Sequence, residues 1–499
     1  MNRRDLIKGA VGFGALAALG GGAAPALADV TRAENEKAGT TDWMLTNTRV
    51  DPRTKYRCPW IEGYCSHTSL RVGETLEIKV STNPPSPFVI DLYRMGYYGG
   101  KGARHLGTHG PFKGAAQPDP KIGEERVREC RWETALKLPI PKDWPSGVYL
   151  GKLTAEREKL QSYVIFIVRD DRACDFLFQS SVTTWSAYNR WPGQFSLYDN
   201  GKEDWYWGPN VRVSFDRPYG KYLHNGDWPL SQGSGEFFPW EFPLSFWLEK
   251  NGYDVSYISN VDTHRDAKGL RRAKGWISTG HDEYWSRAMF ENVKSAVAAG
   301  LNAAFLSSNT CLGLIPFMPS WDGTPHRVIS RVGIFGDVKG RPLGNHPEIA
   351  RFKPCGLDEG LLLGNRTVAP VMGVANWICS NEKHWIFEGT GMKDGDSIPG
   401  LVGWEWQGNP AKIPGLEVVA RGKVADRGVE GEYTATVYPG PKSNHVFSCS
   451  TIWWADGLSE PPGHKRPVSW RGKPLPVQLA GPDARVQRIT SNLLNRFKG

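Results

Sequence analysis

The sequence predicts an α+β multidomain protein, with an N-terminal immunoglobulin-like β-sandwich followed by a doubly wound α/β domain. Three observations carry this. Between residues 40 and 170, short runs of alternating apolar and polar residues are separated by Gly/Pro turns, the pattern of a half-buried antiparallel strand array. After Asp170 strands alternate with stretches of helical spacing, the punctuation of βαβ units. At 40% hydrophobic and 12% aromatic, the chain is long and apolar enough to bury more than one core.

At the N-terminus, Asn2-Arg3-Arg4-Asp5-Leu6-Ile7-Lys8 sets paired arginines before a weakly apolar, Gly- and Ala-rich run that ends in Ala26-Leu27-Ala28. This predicts a removable twin-arginine export signal over residues 1–28, and a mature protein in the periplasm or secreted. Glycines and a proline interrupt the run, which argues against a spanning helix. That route carries folded cargo, so a bound metal or cofactor is expected. In the sandwich, Leu76, Ile78 and Val80 alternate with Glu77 and Lys79, and Pro84-Pro85-Ser86-Pro87 breaks the strand. Val89 to Tyr93, Val148 to Leu150 and Tyr163 to Val168 are further strands, and the module is expected to fold by itself. Cys58 and Cys65 flank a short loop that a disulfide could close outside the cytoplasm. The other six of the eight cysteines show no CxxC spacing, which disfavours a thiolate metal site.

In the α/β domain, over residues 171–499, strands are predicted at Asp175–Phe178, Val255–Ile258, Trp276–Ser278, Ala303–Leu306 and Val446–Trp453. Helices are predicted at Trp240–Lys250, Ser286–Ala299 and Arg485–Phe497. The net charge of +9 is spread without a dense Lys/Arg block, so nothing marks a nucleic-acid surface. Twenty-one tryptophans favour an aromatic-lined pocket.

Ligands of open α/β sheets bind beyond the carboxyl ends of the strands. The segments after the predicted strands are chemically rich: Thr279-Gly280-His281-Asp282-Glu283-Tyr284-Trp285, then Ser307-Ser308-Asn309-Thr310-Cys311, and a polar–aromatic segment with Trp185, Tyr188, Asn189 and Tyr198. Bland readings stand beside this one. Glu283 would complement a helix dipole, Asn309 would cap a turn, and Tyr188 and Tyr219 would be aromatic core. Cys311 offers a competing nucleophile, although its turn lacks the first glycine of a nucleophile elbow.

Thr184-Trp185-Ser186-Ala187-Tyr188-Asn189, Ser214-Phe215-Asp216-Arg217-Pro218-Tyr219, Gly280-His281-Asp282-Glu283-Tyr284-Trp285-Ser286 and Ser307-Ser308-Asn309-Thr310-Cys311 resemble the large subunit of the N,N-dimethylformamidase family, and the likeness extends loosely over residues 60–499. The resemblance implies an amide hydrolase with mononuclear Fe(III), on an α/β domain like that of class I glutamine amidotransferases. It implies Tyr188, Tyr219 and Glu283 as metal ligands, with Tyr198 and Tyr222 as the fallback tyrosines. His281 would move a proton, oriented by Glu405, and Asn309 would line the site. It further implies a small amide substrate and a small partner subunit or homo-oligomer. Two other readings remain open: a non-catalytic envelope or carbohydrate-binding protein, and a cysteine-dependent amidotransferase-like hydrolase.

Overall fold

The computed structural model describes residues 30–499 except 204, 222–227, 337–351, 353–354 and 471–472. The expected export signal over residues 1–28 and Tyr222 lie outside the described residues.

The first unit is built from β1 (Glu62–Cys65), β2 (Ser69–Arg71), β3 (Thr75–Ser81), β4 (Phe88–Met95), β5 (Ala103–Phe112), β6 (Thr134–Pro139), β7 (Gly147–Ala155) and β8 (Gln161–Arg169). They form two sheets, ordered β1-β3-β6 and β2-β8-β7-β4-β5. Ile78 and Val80 of the first meet Ile90, Leu92, Leu153, Val164 and Phe166 of the second in one core. Successive side chains of a strand point to opposite faces. Accordingly, Tyr93, Val148, Leu150, Tyr163, Ile165 and Ile167 face away from that core and pack with Val182, Trp185, Phe237 and Phe238. The larger sheet is therefore covered on both sides, which is why residues 163–168 read as an unbroken apolar run. The sandwich thus shares an apolar interface with the residues after 180.

The expected Cys58–Cys65 bond is not formed: both are buried free thiols. Cys65 is held in β1 opposite Ile78, with its side chain in the sandwich core. The chain thus leaves the Cys58 turn in an extended direction instead of closing on it.

The second unit contains β9 (Cys174–Ser180), α1 (Val182–Tyr188), α2 (Phe242–Lys250), β10 (Val255–Ser259), α3 (Asn260–Arg265), β11 (Ala273–His281), α4 (Arg287–Ala298), β12 (Asn302–Ser308), β13 (Arg366–Met372), β14 (Glu405–Gly408), β15 (Glu417–Asp426), β16 (Val429–Pro439), β17 (His445–Ser448) and α5 (Ala484–Lys498). A nine-stranded sheet runs β10-β9-β11-β12-β17-β16-β14-β13, with β15 beside β16. β10, β9, β11, β12 and β17 are parallel, and the remaining pairs are antiparallel. The largely parallel sheet expected from the sequence thus carries an antiparallel extension. The strand expected over Val446–Trp453 stops at Ser448 and gives way to a 3-10 turn over Ile452–Gly457. Phe176, Ile277, Leu306 and Phe447 share a core with α5 residues Leu493 and Phe497. Leu177, Trp276, Phe305 and Val446 share another with α4 residues Phe290 and Val293. Both faces of the parallel half are covered.

From β9 the chain turns to β10 on one side, then crosses back to β11 on the other. Such a reversal opens a crevice beyond the carboxyl ends of β9 and β11.

Candidate active site

His281 ends β11. In extended backbone alternate residues share a side, so His281 and Glu283 point together and Asp282 points away. Asp282 accepts hydrogen bonds from Gln179 Nε2 (2.8 Å), Ser278 Oγ (2.8 Å) and Asn260 Nδ2 (3.0 Å), pegging the link to the sheet. The Glu283 amide donates to Thr184 Oγ1 at 3.0 Å, tying the link to α1. That helix ends in Tyr188. Its start is held by Glu241, whose Oε1 accepts from the Ser181 amide at 2.9 Å and Trp185 Nε1 at 2.8 Å. Ser286 caps α4 by accepting from the Met289 amide at 3.1 Å. Helix capping therefore falls to Ser286, and the Glu283 carboxylate is turned to other partners.

Tyr188 donates to Glu283 Oε2 at 2.7 Å, and Tyr198 to the same oxygen at 3.1 Å; their ring centroids are 4.6 Å apart. Tyr284 donates to the Tyr198 hydroxyl at 2.7 Å. Arg331 donates to the Tyr284 oxygen at 2.5 and 3.2 Å. His281 Nε2 lies 2.8 Å from Glu405 Oε2 and 3.4 Å from Glu283 Oε2. Its N–H aligns with neither, so Nε2 makes no hydrogen bond among the described residues. Asn309 follows β12 at φ 50°, a left-handed conformation that Asn tolerates. Its Nδ2 donates to Glu405 Oε2 at 2.8 Å, and Thr367 Oγ1 donates to its Oδ1 at 3.0 Å, which fixes the amide. On the far side of the imidazole, Glu236 Oε2 lies 3.4 Å from Nδ1.

Glu236, Glu283 and Glu405 are 1%, 1% and 2% exposed, and His281 is 4% exposed. Burial opposes charge on His281, but Glu405, with contacts to Glu236 and Glu283, holds the imidazole well above its usual range. Burial pushes the Tyr188 and Tyr198 phenols well up, and the Glu283 charge adds to it. Burial also raises the Glu236 carboxyl, against the pull of His281. Three buried carboxyl groups thus face one imidazole, and any carboxylate charge there that the ring does not neutralise is disfavoured by several kcal/mol in low-dielectric surroundings. A cation fits. His281, Glu283 and Glu405 each offer a donor atom, all within 4.8 Å of one another, and the two phenols converge on the same carboxylate.

Of the residues expected at the site, Tyr188, His281, Glu283, Asn309 and Glu405 come together. Tyr219 makes no hydrogen bond to Glu283 among the described residues: its ring packs on Trp185 at 6.2 Å and lines a cavity with Tyr64, Cys65, Arg217 and Arg327, with Glu236 as an electrostatic neighbour. Its neighbours are strapped to Asn189, which donates to the Pro218 carbonyl at 2.9 Å and accepts from the Gly220 amide at 3.0 Å. Tyr198 occupies the place beside Tyr188. Cys311 is sealed in an apolar cluster with Trp285, Phe290 and Phe335, and burial pushes its thiol well above the usual range. Glu236, Tyr284 and Arg331 are members of the cluster that sequence reasoning missed. The signal available for Glu236 is Gly233-Ser234-Gly235 immediately before it.

A family model described as N,N-dimethylformamidase beta subunit-like, C-terminal, matches residues 89–466, more than half of the chain. The chain belongs to this family. No curated protein matches it. All the clustered residues lie inside the matched span. Membership in the N,N-dimethylformamidase-like family points to a hydrolase of amide type, and the beta-subunit description points to a partner subunit. Among the described residues no helix is long and apolar enough to cross a membrane.

Proposed function

We propose that this chain is an exported, iron-dependent hydrolase of a C–N amide bond in a small substrate. The observation that carries the reading is the convergence of two phenol hydroxyls on one buried carboxylate, beside a histidine bracketed by carboxylates. We assign Tyr188, Tyr198 and Glu283 as ligands of a mononuclear Fe(III). Tyr198 stands in place of Tyr219, because its hydroxyl lies at Glu283. Phenols that far above their usual range lose their protons only to a strong Lewis acid, and an all-oxygen donor set suits a hard ion. When bound, such an ion polarises an amide carbonyl and acidifies water.

The chain's own groups supply the rest. His281 carries the proton to the leaving nitrogen, and Glu405, 2.8 Å from its Nε2, stabilises the charge on the ring. Asn309, its amide fixed by Thr367, directs an N–H to the edge of the cluster, where it also donates to the oxygen that gains charge. One such donor is worth about 3 kcal/mol elsewhere. Burial of every one of these groups keeps bulk water out.

A second metal set has an observation in its favour: His281, Glu283 and Glu405 can themselves hold an ion. It would leave the phenols as donors to Glu283. The cysteine-nucleophile reading is disfavoured by the sealed thiol of Cys311. A non-catalytic binding protein would have no need of the buried charge cluster. The Arg3-Arg4 pair and Ala26-Leu27-Ala28 support export by the twin-arginine route and cleavage after Ala28. The family description supports assembly with a small partner subunit, with a homo-oligomer as the alternative.

The test is amine release from small N-alkyl amides by purified protein, before and after removal of metal with a chelator and restoration with iron. Activity lost on stripping and regained with iron is expected. Full hydrolysis by metal-free protein would refute the metal role, and iron-loaded protein inactive on every amide would favour the binding reading.

A further inference from the structure

Glu236 is a buried carboxylate whose two oxygens have no hydrogen-bond partner among the described residues. A buried acid left without a hydrogen-bond partner is costly and is not packing filler. The surrounding backbone is shaped to bring it in. Gly235 has φ 58°, and a Cβ there would sit 2.7 Å from the Trp185 ring. Gly280, one residue before His281, has φ 63°, and a Cβ there would lie 2.5 Å from that of Trp240. Both glycines let backbone approach where a side chain would block it, so the end of β11 lies directly against the segment after Glu236. That segment, Phe237–Glu241, is a π-helical turn, a form that recurs at functional sites. It sets Glu236 against His281, and Glu241 against the start of the helix that carries Tyr188.

We propose that Glu236 is a positioning residue for His281: it accepts the Nδ1 proton and so fixes the ring with Nε2 toward Glu405, Glu283 and the substrate. This rests on the reading of His281 as the proton carrier. The imidazole then has one carboxylate per nitrogen, with different tasks. Glu405, at 2.8 Å from Nε2, faces the nitrogen whose proton moves. Glu236, at 3.4 Å from Nδ1, holds the one that stays. The 3.4 Å separation is longer than a closed hydrogen bond, and catalytic contacts of resting sites commonly tighten when substrate binds.

The experiment compares the full-length, iron-loaded wild type with Glu236→Gln and Glu236→Asp, and follows histidine ¹⁵N signals in metal-free wild type and Glu236→Leu. In Glu236→Gln we expect kcat to fall about a hundredfold or more, the scale of a lost imidazole-orienting group. KM and iron content should be unchanged, and Glu236→Asp should recover part of the loss. In metal-free protein we expect a His281 Nδ1 proton signal shifted downfield by a carboxylate acceptor, and Glu236→Leu should remove that downfield shift. Unchanged kcat, loss of iron from Glu236→Gln, or a wild-type ring without an Nδ1 proton would each overturn the proposal. Because the ¹⁵N signals need neither iron nor turnover, they judge Glu236 even if the wild type hydrolyses no amide.

Discussion

At the scale of single residues, neighbours of similar chemistry carry different tasks. His281→Ala is expected to keep the metal and lose about a hundredfold or more in kcat, the contribution of a positioned proton carrier; metal content and turnover on the same sample check it. The two tyrosines separate cleanly. Tyr219 packs on Trp185 and makes no hydrogen bond to Glu283 among the described residues, so Tyr219→Phe should leave iron and activity intact, whereas Tyr198→Phe, which removes a hydroxyl at Glu283, should lose iron. Cys311→Ala should retain most activity, and complete loss would revive a cysteine nucleophile. His281, Glu283 and Asn309 are legible in the sequence because each follows a strand end, where ligands bind. The choice between Tyr198 and Tyr219 is not. Neither tyrosine lies in a regular element, so no periodicity gives its direction. The Asn189 strap that holds the Tyr219 segment is a tertiary contact.

At the scale of elements, the site depends on how the link after β11, α1 and the π turn are held together. Gly235→Ala introduces a side chain at φ 58° against Trp185. It is expected to cost about 1–3 kcal/mol, read as a lower thermal midpoint, together with reduced kcat through displaced Glu236. α3 and α4 are joined by His264, whose Nδ1 lies 2.8 Å from Ser286 Oγ. Burial, with His326 and Arg265, lowers His264 to about 4. The unfolded chain therefore takes up a proton near pH 6.5 while the folded chain does not. Stability should fall as pH drops from about 6.5 towards 4, by about 1 kcal/mol once solvent screening of this half-buried group is counted. His264→Gln should remove that part of the slope in denaturant titrations. Helices with strong punctuation are legible to within two residues: the Ser286 cap and Gly300 stop bracket α4, and α5 carries its apolar residues at helical spacing. The π turn over Phe237–Glu241 lies in an aromatic run, and its last two residues, Trp240 and Glu241, read as the start of the helix expected over Trp240–Lys250.

At the scale of the whole molecule, the parallel strands announce themselves by short apolar runs with helices between. The antiparallel half does not. β15 is exposed on much of its length and β14 is four residues long, so neither has the apolar run that marks a buried strand. Yet β14 begins with Glu405, so this unread half completes the site. The double burial of the β2-β8-β7-β4-β5 sheet predicts that residues 40–170 expressed alone will not give a monomeric, cooperatively unfolding protein; scanning calorimetry and gel filtration check this. Export is expected to depend on the paired arginines: Lys at both Arg3 and Arg4 should leave precursor in the cytoplasm, detected by fractionation and blotting.

The most direct test of the metal centre is the metal content and visible spectrum of protein purified without chelator, for the wild type, Tyr188→Phe, Tyr198→Phe and His281→Ala. One iron per chain and a phenolate charge-transfer band are expected in the wild type and His281→Ala, with both iron and colour lost from each Tyr variant. Colourless protein that keeps its metal in both Tyr variants and loses it in His281→Ala would contradict this assignment, and would place the ion on His281, Glu283 and Glu405.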